Sequence, residues 1–511
     1  MSESQDAVLE FLGRPQAHDG RAVRRIDTHA SIIFLAGQLA LKVKRDIRLP
    51  YLDYSTLEKR HAACEREFAL NQPHAPQIYR RVVAVTQGAA GEFEIGGNDK
   101  PVEWLLEMAR FDDRRTLDRV AQAGEIVDGV AGELADAILR SHTQAERFTG
   151  PAWVASLPKL VALNTNKFRA AAKFPIEDVA RLDEVSLKAV VRLHDRLARR
   201  AAGGFVRRCH GDLHLANVAL IDGHPVLFDA IEFNDDIATT DILYDLAFPI
   251  MDLLRFGKAA EANVVLNRYL VAAEADNFEA LAALPLFLSL RAAIRAQVLL
   301  TGHEQRPADE TLMRARVYFD LACRLIAPAK PMLIAVGGLS GTGKSALSRR
   351  LAGGIAPQPG AVVLRSDVIR KRMFGVRETE PLPQSAYRPE VSVDVYCALV
   401  ETASRILAQG ISVIADAAWL RPDERHSIRQ VARSRGVSFH GLFLTADLST
   451  RLARIAARRN DASDATGEVA RQQDQYELGP IDWRLIDTEG GFDDTLTAAR
   501  RCLAIDAQQQ E

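Results

Sequence analysis

A glycine-rich segment in the C-terminal third of the chain has the residue types needed to hold a polyphosphate. Residues 338–345 read Gly-Leu-Ser-Gly-Thr-Gly-Lys-Ser, which fits GxxxxGK[ST] without a mismatch, between an apolar run and a helical one. Glycines let successive backbone N–H groups converge on an anion, and the helix N-terminus adds partial positive charge. The segment predicts a nucleotide polyphosphate and Mg²⁺ as ligands, with Lys344 on the β- and γ-phosphates and Ser345 on the metal. The expected phosphate-binding residues are Gly338, Ser340, Gly341, Thr342, Gly343, Lys344 and Ser345.

A second constellation lies in the N-terminal two-thirds. Residues 210–217 read His-Gly-Asp-Leu-His-Leu-Ala-Asn, and Leu-Phe-Asp follows at 227–229. The Asp212-to-Asn217 spacing equals that of the protein-kinase loop HRDxxxxN. The segment most resembles the aminoglycoside phosphotransferase group, whose loop reads HGDxxxxN. The resemblance implies that Asp212 accepts the proton of a substrate hydroxyl, while Asn217 and Asp229 hold Mg²⁺ ions that bridge the phosphates.

A kinase-like fold also needs a lysine on the sheet that covers ATP. Residues 40–42 read Ala-Leu-Lys and resemble the kinase Ala-x-Lys, but Lys44 shares a face with Lys42 and is the alternative. Glu65 and Glu67, on the next predicted helix, both qualify as the partner. We prefer Glu67, because the run REFALNQPHAP resembles the family's helix at that point. Lys42 and Glu67 are therefore the expected ATP-site pair.

The N-terminal half departs from protein kinases at the loop that covers the phosphates. The corresponding hairpin reads THASIIFLAG instead of GxGxxG. Thr28 or Ser31 is the candidate phosphate contact. This departure leaves open whether the N-terminal half transfers phosphoryl groups or only senses nucleotide. Asp245, in DILYDLAF, resembles a helix-borne carboxylate that ties down the catalytic loop in the same family.

The C-terminal segment, about 330–505, resembles a branch of small P-loop kinases that includes polynucleotide, gluconate and zeta-toxin-like kinases. It contains no NKxD, the motif with which GTPases read guanine. The run Arg365-Ser-Asp-Val-Ile-Arg370 follows the second predicted strand. The resemblance implies that Asp367 is the base for the attacking hydroxyl and Arg370 a substrate clamp. The alternative is that Ser366 or Asp367 caps a helix.

Further candidates follow the third strand and the next helix. Asp416 ends the strand ISVIAD, where a carboxylate at the carboxyl end of a parallel strand faces the ligand crevice. It is the candidate Mg²⁺ ligand, and a helix cap is the alternative. Similar kinases place an arginine-bearing lid where this chain has Arg451, Arg454, Arg458 and Arg459. We favour Arg454 and Arg458, which share a face at i, i+4 and would neutralise charge on the transferred phosphoryl. A solvated basic face is the alternative.

These motifs require two different architectures. Residues 1–326 are predicted to form an α+β, bilobal, protein-kinase-like domain. Residues 327–511 are predicted to form an α/β P-loop NTPase domain with a parallel sheet, because strands and helices alternate there. Within the helical region near 115–200, Leu187, Val190, Val191 and Leu197 are expected to share one apolar helix face.

The overall composition fits a cytoplasmic protein. The net charge is −2, which gives no reason to expect nucleic acid or a membrane as partner but does not exclude a local basic groove. The five cysteines are widely spaced, as in a reducing compartment, and the N-terminus lacks the pattern of a signal peptide. The apolar stretch near Leu281–Leu300 contains Pro285, Arg291 and Arg295, and is expected to be a buried helix. The oligomeric state cannot be read from the sequence.

The leading hypothesis is therefore an ATP-dependent phosphotransferase with two nucleotide sites and small hydroxyl compounds as acceptors. One alternative makes one half a regulatory module that senses nucleotide. Another makes the P-loop half a kinase of nucleic-acid ends. Neither acceptor can be identified from the sequence, and the preference for ATP over GTP rests on family likeness.

Overall fold

The computed structural model describes residues 3–49, 52–272, 275–458 and 461–503. The chain folds into two compact units. The first unit comprises Met1–Leu163 and His194–Asp252, and the second comprises Asn164–Leu193 and Leu253–Glu511. The predicted boundary between residues 326 and 327 lies inside the second unit, and it stays a prediction about where the two sequence domains meet.

The first unit contains a six-stranded antiparallel sheet in the order β1-β2-β3-β8-β6-β7. The strands of this region, with the short ribbon β4-β5, are β1 (Val23–Asp27), β2 (Ser31–Ala36), β3 (Leu39–Lys44), β4 (Arg48–Leu49), β5 (Leu52–Asp53), β6 (Tyr79–Gln87), β7 (Phe93–Ile95) and β8 (Lys100–Ala109). The helices α1 (Glu3–Leu12) and α2 (Leu57–Asn71) lie in the same region. Alternate residues serve opposite faces: Phe34 packs in a core cluster with α1, whereas its neighbour Leu35 packs in a different one.

Helices and small sheets follow the six-stranded sheet. The helices are α3 (Leu117–Ala123), α4 (Val130–Gln144), α5 (Ala152–Ala171), α6 (Ile176–Ala202), α7 (Asp235–Ala238) and α8 (Ile242–Arg255). The strands are β9 (Arg147–Phe148), β10 (Val206–Arg208), β11 (Val218–Ile221), β12 (His224–Leu227) and β13 (Thr239–Asp241). Strands β13, β10 and β9 form one antiparallel sheet, and β11 pairs with β12. The catalytic-loop candidates lie between β10 and β11.

The second unit is built on a five-stranded sheet in the order β15-β16-β14-β17-β18, in which every pairing is parallel. The strands are β14 (Met332–Gly338), β15 (Val362–Arg365), β16 (Val413–Asp416), β17 (Ser438–Thr445) and β18 (Arg484–Asp487). The helices are α9 (Ala259–Ala272), α10 (Leu284–Gln305), α11 (Asp309–Ile326), α12 (Lys344–Ala352), α13 (Ser366–Met373), α14 (Pro389–Leu407), α15 (Pro422–Arg435), α16 (Leu448–Ala457), α17 (Gly467–Gln473) and α18 (Phe492–Leu503). The predicted fold class, α+β followed by a parallel α/β domain, is confirmed.

Helix α9 covers the edge of the parallel sheet. Strand β15 is an edge strand, so its outer backbone groups need partners from outside the sheet. The Asn267 side chain supplies a donor and an acceptor. Its amide N–H donates to the Ala361 carbonyl (3.1 Å), and its amide oxygen accepts from the Val363 N–H (2.7 Å). Asn263 adds a second donor to the Ala361 carbonyl at 3.0 Å. Helix α9 therefore stabilises the strand that leads directly to Asp367.

One helical segment of the second unit is long and strongly apolar. Among the described residues, Asn277–Gln305 is the segment long and apolar enough to cross a membrane, and 67% of its most apolar window is buried within the structure. Helix α10 belongs to this segment, and Leu286, Phe287 and Leu288 are among its fully covered residues. This burial agrees with the prediction of a core helix.

Candidate active sites

The catalytic-loop candidate of the first unit is held by carboxylates from helix α8. Gly211 has a φ of 84°, and a Cβ there would lie 3.1 Å from the Ile231 side chain, so this turn requires glycine. The Gly211 N–H donates to Asp245 at 3.0 Å, and the Leu215 N–H donates to Asp252 at 3.1 Å. Asp245 therefore ties down the loop, as predicted, and Asp252 is a second tie that the sequence did not reveal.

The predicted metal ligands of this loop stand next to each other in the fold. The Asn217 amide donates to the Asp212 carbonyl at 2.9 Å, which leaves its own side-chain oxygen as an acceptor. The Phe228 N–H donates to the Asn217 carbonyl at 3.1 Å, and Asp229 is the next residue after Phe228. This hydrogen bond therefore keeps the backbones of Asn217 and Asp229 close together. Asp229 has a φ of 64°, a strained conformation for a residue with a side chain. The Asp229 N–H donates to the Tyr79 hydroxyl at 3.1 Å, a tie between the loop and strand β6.

Two buried lysines share one buried glutamate at the centre of this site. Lys42 contacts Glu67 at 2.8 Å and Asp229 at 2.6 Å. Lys44 contacts both Glu67 and Glu232, and all three side chains are nearly inaccessible to solvent. Burial acts to lower the pKa of Lys42, but Asp229 and Glu67 raise it well above its usual value. The pKa of Lys44 is likewise raised, by Glu67 and Glu232 against burial. Both lysines are therefore cations, held in a network of ion pairs.

This network answers the sequence alternatives with geometry. Lys42 and Lys44 both contact Glu67, so this contact does not distinguish them. They differ in their second carboxylate, which is Asp229 for Lys42 and Glu232 for Lys44. Glu65 instead lies 3.4 Å from the partly exposed His61. Glu232, which sequence reasoning left without a role, also accepts a hydrogen bond of 2.6 Å from the Tyr54 hydroxyl. The roles of Lys42 and Glu67 in binding ATP stay predictions.

The hairpin that replaces the glycine-rich loop is locked by its own hydroxyl side chain. Thr28 donates through its hydroxyl to the Ser31 carbonyl at 2.8 Å and accepts from the Ser31 N–H at 3.0 Å. Both residues are therefore engaged in holding the turn between β1 and β2. A phosphate contact by either side chain stays a prediction.

The oxygen atoms near Asp229 suit a magnesium ion. Asn217 and Asp229 supply an amide and a carboxylate oxygen, the ligand types that Mg²⁺ prefers. Lys42 currently neutralises Asp229 and, despite the burial of this carboxylate, keeps its pKa below the ordinary value. Asp229 is thus ionised, as a metal ligand must be.

The phosphate-binding loop of the second unit has the predicted place, between β14 and α12. Gly341 has a φ of 89°, and a Cβ there would lie 2.6 Å from the Arg451 carbonyl, so a side chain would force the loop away from helix α16. The Ser340 N–H donates to the Gln473 side chain at 2.7 Å, and Thr342 donates to the Leu339 carbonyl at 2.8 Å. Gln473 was not foreseen, because it lies 133 residues further along the chain.

The cation of this loop differs from those of the first unit. Lys344 donates to the neutral Leu339 carbonyl at 2.9 Å. Burial lowers the pKa of Lys344 below its usual value, even though Asp416 and Asp367 act in the opposite sense. Placing an anionic phosphate beside this buried ammonium would relieve that cost of burial. The site is therefore suited to an incoming anion.

Asp416 is suited to a metal ion. It ends strand β16, pairs in register with Val336 of β14 and is buried. Its Oδ2 atom is buried and has no hydrogen-bond partner among the described residues, although Arg365 Nε lies 3.5 Å away. An orphaned carboxylate oxygen in the same cavity as Ser345 matches a magnesium site. Helix α15 begins at Pro422, so the alternative that Asp416 caps it is wrong.

Asp367 and Arg370 occupy the first turns of helix α13. Arg365 is the N-cap of this helix and makes no side-chain cap bond, so the alternative of a cap at Ser366 or Asp367 is wrong. Burial raises the pKa of Asp367, and Asp416 adds to the effect, while Arg365 and Lys344 oppose it. Arg370 is nearly buried and donates to the Ala386 carbonyl at 2.6 Å and the Ser392 hydroxyl at 3.3 Å. Both residues line one cavity.

The arginines of the predicted lid fall into two groups. Arg454 and Arg458, the favoured pair, both line the cavity. Arg454 donates to the Thr488 hydroxyl at 3.1 Å and Arg458 to the Ser463 carbonyl at 3.3 Å. Arg451 is fully buried and contacts Asp474 instead. Arg459 lies outside the described residues.

The cavity of the second unit brings almost every predicted P-loop residue together. Its volume is about 560 Å³. Predicted residues in its lining are Ser340, Gly341, Thr342, Gly343, Lys344, Ser345, Asp367, Arg370, Asp416, Arg454 and Arg458. Residues in its lining that the motifs did not mark as site residues include Tyr387, Tyr396, Asp461, Ser463, Asp464 and Gln473. Gly338 is the one predicted residue of this half outside the lining, since it ends strand β14.

Comparisons with known families match both halves. The model of the phosphotransferase enzyme family matches residues 13–284, and the model described as an AAA domain matches residues 333–478. Among curated proteins, uncharacterised proteins of Mycobacterium tuberculosis and Mycobacterium bovis are each 30% identical over 453 residues, covering 87% of this chain and 88% of theirs. The two-part organisation is thus shared along nearly the whole length of those relatives.

Solved structures with resemblance to either part show low similarity. A choline/ethanolamine kinase family protein from Mesorhizobium loti is 15% identical with a TM-score of 0.37, covering 63% of this chain and 99% of its own. A gluconokinase from Sinorhizobium meliloti is 21% identical with a TM-score of 0.25, covering 35% of this chain and 95% of its own. The family assignment rests on the sequence matches instead. Because the match at 13–284 spans more than half of the 511 residues, the chain belongs to the phosphotransferase enzyme family, and it carries a P-loop kinase-like domain after that region.

Proposed function

We propose that this protein is a phosphotransferase with two nucleotide sites, each of which moves the γ-phosphoryl group of ATP to a hydroxyl group of a small molecule. The observation that carries the proposal is the lining of the 560 Å³ cavity, where Lys344, Asp367 and Asp416 lie with the phosphate-binding loop. The first unit supplies a second set in Lys42, Asp212 and Asp229. Family membership supports the reaction type, and the acceptors are part of the proposal.

In the P-loop half, the proposed reaction is transfer to a hydroxyl beside Asp367. The carboxylate of Asp367 takes the proton of the acceptor as its oxygen bonds to the γ-phosphorus, and ADP leaves. The raised pKa of Asp367 makes it a better proton acceptor than an ordinary aspartate. Lys344, Arg454 and Arg458 neutralise the charge that develops on the phosphoryl oxygens. A magnesium ion held by Ser345 and Asp416 would supply further neutralisation when bound.

In the N-terminal half, Asp212 is the proposed base and Lys42 the proposed contact to the α- and β-phosphates. The loop that carries Asp212 is anchored by Asp245 and Asp252, which fixes its position relative to the rest of the unit. Asn217 and Asp229 would hold the metal. Because Lys42 pairs with Asp229 at 2.6 Å, this half must exchange one ion pair for contacts to nucleotide and metal.

That ion pair favours a second candidate function for the N-terminal half. In this candidate function, the first unit binds nucleotide without transferring its phosphoryl group, and it regulates the P-loop half. The buried Lys42, Lys44, Glu67 and Glu232 already satisfy one another, and the Thr28 hairpin is locked by its own bonds. Normal nucleotide binding without transfer would be its signature.

The proposal also covers the substrates, the location and the cofactors of the protein. The substrates are proposed to be small hydroxyl compounds, with no membrane partner and a cytoplasmic location. ATP and Mg²⁺ are the proposed nucleotide and metal. A nucleic-acid acceptor is the less favoured alternative for the P-loop half, and steeply salt-dependent binding of DNA or RNA would support it.

The experiment compares products formed from labelled ATP. Wild type, Asp212→Asn and Lys344→Ala are each supplied with Mg²⁺, γ-labelled ATP and a cell-metabolite extract, and new phosphorylated species are separated and counted. Matched controls are Asp222→Asn, at an exposed hairpin turn whose left-handed φ of 52° asparagine also adopts, and Lys330→Ala at an exposed lysine. If each site variant loses a different species while both controls keep all of them, two kinases are present.

The alternatives give different patterns. If only Lys344→Ala loses product and Asp212→Asn keeps every species, the first unit regulates or senses nucleotide. If neither variant changes any product, the proposed function is wrong for both halves. The separated species also identify the acceptors chemically.

A further inference from the structure

A second cavity adjoins the one that the phosphate-binding loop lines. It has a volume of about 570 Å³ and is lined by residues of helices α14 and α15 and of the segment 475–478. The two cavities share the side chains of Arg370 and Tyr396. Val393 and Leu420 contribute apolar parts of its wall. Arg370 therefore lies at the junction between the space beside the phosphate-binding loop and a second space that a bound molecule can enter.

Arg370 is held at this junction by contacts that use only part of its guanidinium group. The residue is 7% exposed. One terminal nitrogen donates to the Ala386 carbonyl at 2.6 Å and the other to the Ser392 hydroxyl at 3.3 Å. The guanidinium also lies over the Tyr387 ring, 5.0 Å from its centre. Its Nε atom has no hydrogen-bond partner among the described residues, so only part of the donor capacity of this arginine is used.

Arg370 differs from the other buried cations of the second unit in having no counter-ion. Lys371 and Arg451 each contact an aspartate. Arg425 has no such partner, but its terminal nitrogens donate to four backbone carbonyls. Arg370 forms no ion pair with any residue that the structure describes, and one backbone carbonyl accepts from it. Because a buried charge is costly unless it is paired, this guanidinium is suited to an anion from outside the chain.

The carboxylates that line the two cavities near this arginine are engaged with other cations. Glu424, in the second cavity, contacts Arg421 at 3.1 Å. Asp464, in the first cavity, contacts Lys371 at 2.9 Å. These two pairs leave the positive charge of Arg370 uncompensated.

The position of Arg370 relative to the proposed base fits a compact acceptor. Asp367 and Arg370 are three residues apart on helix α13, so their Cβ atoms lie about 5–6 Å apart on one face of the helix. A guanidinium group matches the paired oxygens of a carboxylate or a phosphate. Lys344 is the parallel case, because this buried cation also donates to a neutral carbonyl and is proposed to meet the phosphates of ATP.

We propose that the phosphoryl acceptor of the P-loop half is a small anionic compound, whose carboxylate or phosphate group pairs with Arg370 while its hydroxyl group faces Asp367. This inference rests on the proposed function of that half and adds the charge of the substrate to it. The hydroxyl proton passes to Asp367, the acceptor oxygen bonds to the γ-phosphorus of ATP, and ADP leaves. The anionic group at Arg370 takes no part in the bond changes, so the product carries it beside the new phosphate.

The experiment separates acceptors by charge before they meet the protein. A cell-metabolite extract, freed of macromolecules by ultrafiltration, is passed over an anion-exchange resin at neutral pH. The retained and unretained fractions are each supplied with the full chain, Mg²⁺ and γ-labelled ATP. Labelled product that Lys344→Ala abolishes and Asp212→Asn preserves is expected from the retained fraction alone.

Two treatments of the retained fraction distinguish the two sources of negative charge. Digestion with phosphatase and phosphodiesterase, both removed before ATP is added, eliminates an acceptor that carries a phosphate. Methyl esterification eliminates an acceptor that carries a carboxylate. Loss of the labelled product after either treatment supports the proposal, whereas a product that persists after both contradicts it.

Substitution of Arg370 tests which residue reads this charge. Wild type is expected to use the purified acceptor with a kcat/KM about 10- to 150-fold above that for its neutral derivative, as for a hydrogen bond to a charged group. Arg370→Gln is expected to lose most of this preference through a higher KM for the acceptor, with the KM for ATP unchanged. Arg370→Lys keeps the charge and should retain part of the preference. Arg377→Gln, at an exposed arginine, is the matched control and should behave as wild type.

Several outcomes overturn the proposal and differ from failure of the proposed function. Lys344-dependent product from the unretained fraction alone would reject an anionic acceptor while the kinase activity stands. An Arg370→Gln protein that unfolds at the wild-type temperature and keeps the full preference would reject Arg370 as the contact. If that variant does not fold, the charge separation with wild type still decides whether the acceptor is an anion. Absence of Lys344-dependent product from every fraction would reject the proposed function and this inference together.

Discussion

The buried lysines of the two candidate sites have different partners and opposite pKa shifts. In the first unit, Lys42 and Lys44 are paired with carboxylates that raise their pKa values. In the second unit, Lys344 donates to a neutral carbonyl, and burial lowers its pKa. Both lysines of the first site are thus already paired with carboxylates before any ligand arrives. The second site carries a buried cation in a cavity of about 560 Å³ that an anion would stabilise.

This contrast indicates different costs of binding nucleotide. In the first unit, phosphate and metal must compete with an ion pair of 2.6 Å between Lys42 and Asp229. In the second unit, the phosphate-binding loop needs no such exchange at Lys344, which donates to the neutral Leu339 carbonyl. We expect the first site to be the weaker nucleotide site for this reason, and the following changes test the contrast.

The largest expected effect is the loss of stability in Lys44→Ala. This change leaves Glu67 and Glu232 in a buried site without one of their cations. Breaking a buried ion pair by removing one partner costs about 3–5 kcal/mol. The free energy of unfolding from urea denaturation measures it, with Lys59→Ala as control, because the pair of Lys59 with Asp53 is exposed and solvent screens it. Equal losses in both variants would contradict the account of the buried network.

Lys344→Ala is expected to lower the transfer rate strongly while changing the stability little. It removes a cation from the proposed transition state, and the loss of one such donor typically lowers the rate by about 100- to 1,000-fold. Its effect on the free energy of unfolding should stay within about 1 kcal/mol, because the ammonium is not part of a buried ion pair. Rate and urea unfolding are measured on the same preparation, with Lys330→Ala beside it. A loss of stability like that of Lys44→Ala would remove the contrast between the two sites.

A smaller effect is expected where helix α9 covers strand β15. Asn267→Leu leaves the Val363 N–H without its side-chain acceptor, and a buried unpaired group costs about 1–3 kcal/mol. Asn166→Leu, at an exposed helix position, should stay within about 0.5 kcal/mol. Because β15 leads to Asp367, the transfer rate of the P-loop half should also fall. Unchanged stability would mean that the side chain does not act as the partner of the edge strand.

The smallest effect concerns pH. A base works only when deprotonated, and the pKa of Asp367 is raised, chiefly by burial. The P-loop activity should therefore fall with decreasing pH through a midpoint above the ordinary aspartate value of about 3.9. Asp367→Asn should lower the rate and remove this pH dependence from what activity remains. An acidic limb at or below the ordinary value would contradict the proposed environment of Asp367.

The parts that sequence predicted are those in which the signal is continuous along the chain. The loop 338–345 and the loop 210–217 have fixed spacing, so their places between strand and helix, or between two strands, were predictable. Alternating apolar segments likewise predicted the parallel sheet. These features depend on residues that are close together in the chain, so a single sequence is enough to predict them.

The parts that sequence missed depend on distant residues. Glu232 meets Lys44 across 188 positions, and Asp464 meets Lys371 across 93. A buried carboxylate and an exposed one look the same in sequence, because burial is set by the packing of other elements. Asp461, Ser463 and Asp464, which line the P-loop cavity, were visible in the sequence only as polar residues after a basic helix.

One helix face was predicted wrongly. Val190 and Leu197 of helix α6 are buried, but Leu187 and Val191 are 37% and 77% exposed. The buried face is centred nearer to Leu193 and Ser186, so the predicted group straddled its edge. Four apolar residues define a stripe too loosely to fix the rotation of a helix about its axis.

The central claim, two nucleotide sites in one chain, is tested most directly by counting bound nucleotide. Titration calorimetry with Mg²⁺ and a non-hydrolysable ATP analogue measures the number of sites per chain in wild type and in Lys344→Ala. The account predicts two sites of unequal affinity in wild type, and loss of the tighter one in the variant. One site in wild type, lost entirely in Lys344→Ala, would show that the first unit does not bind nucleotide and would contradict the claim.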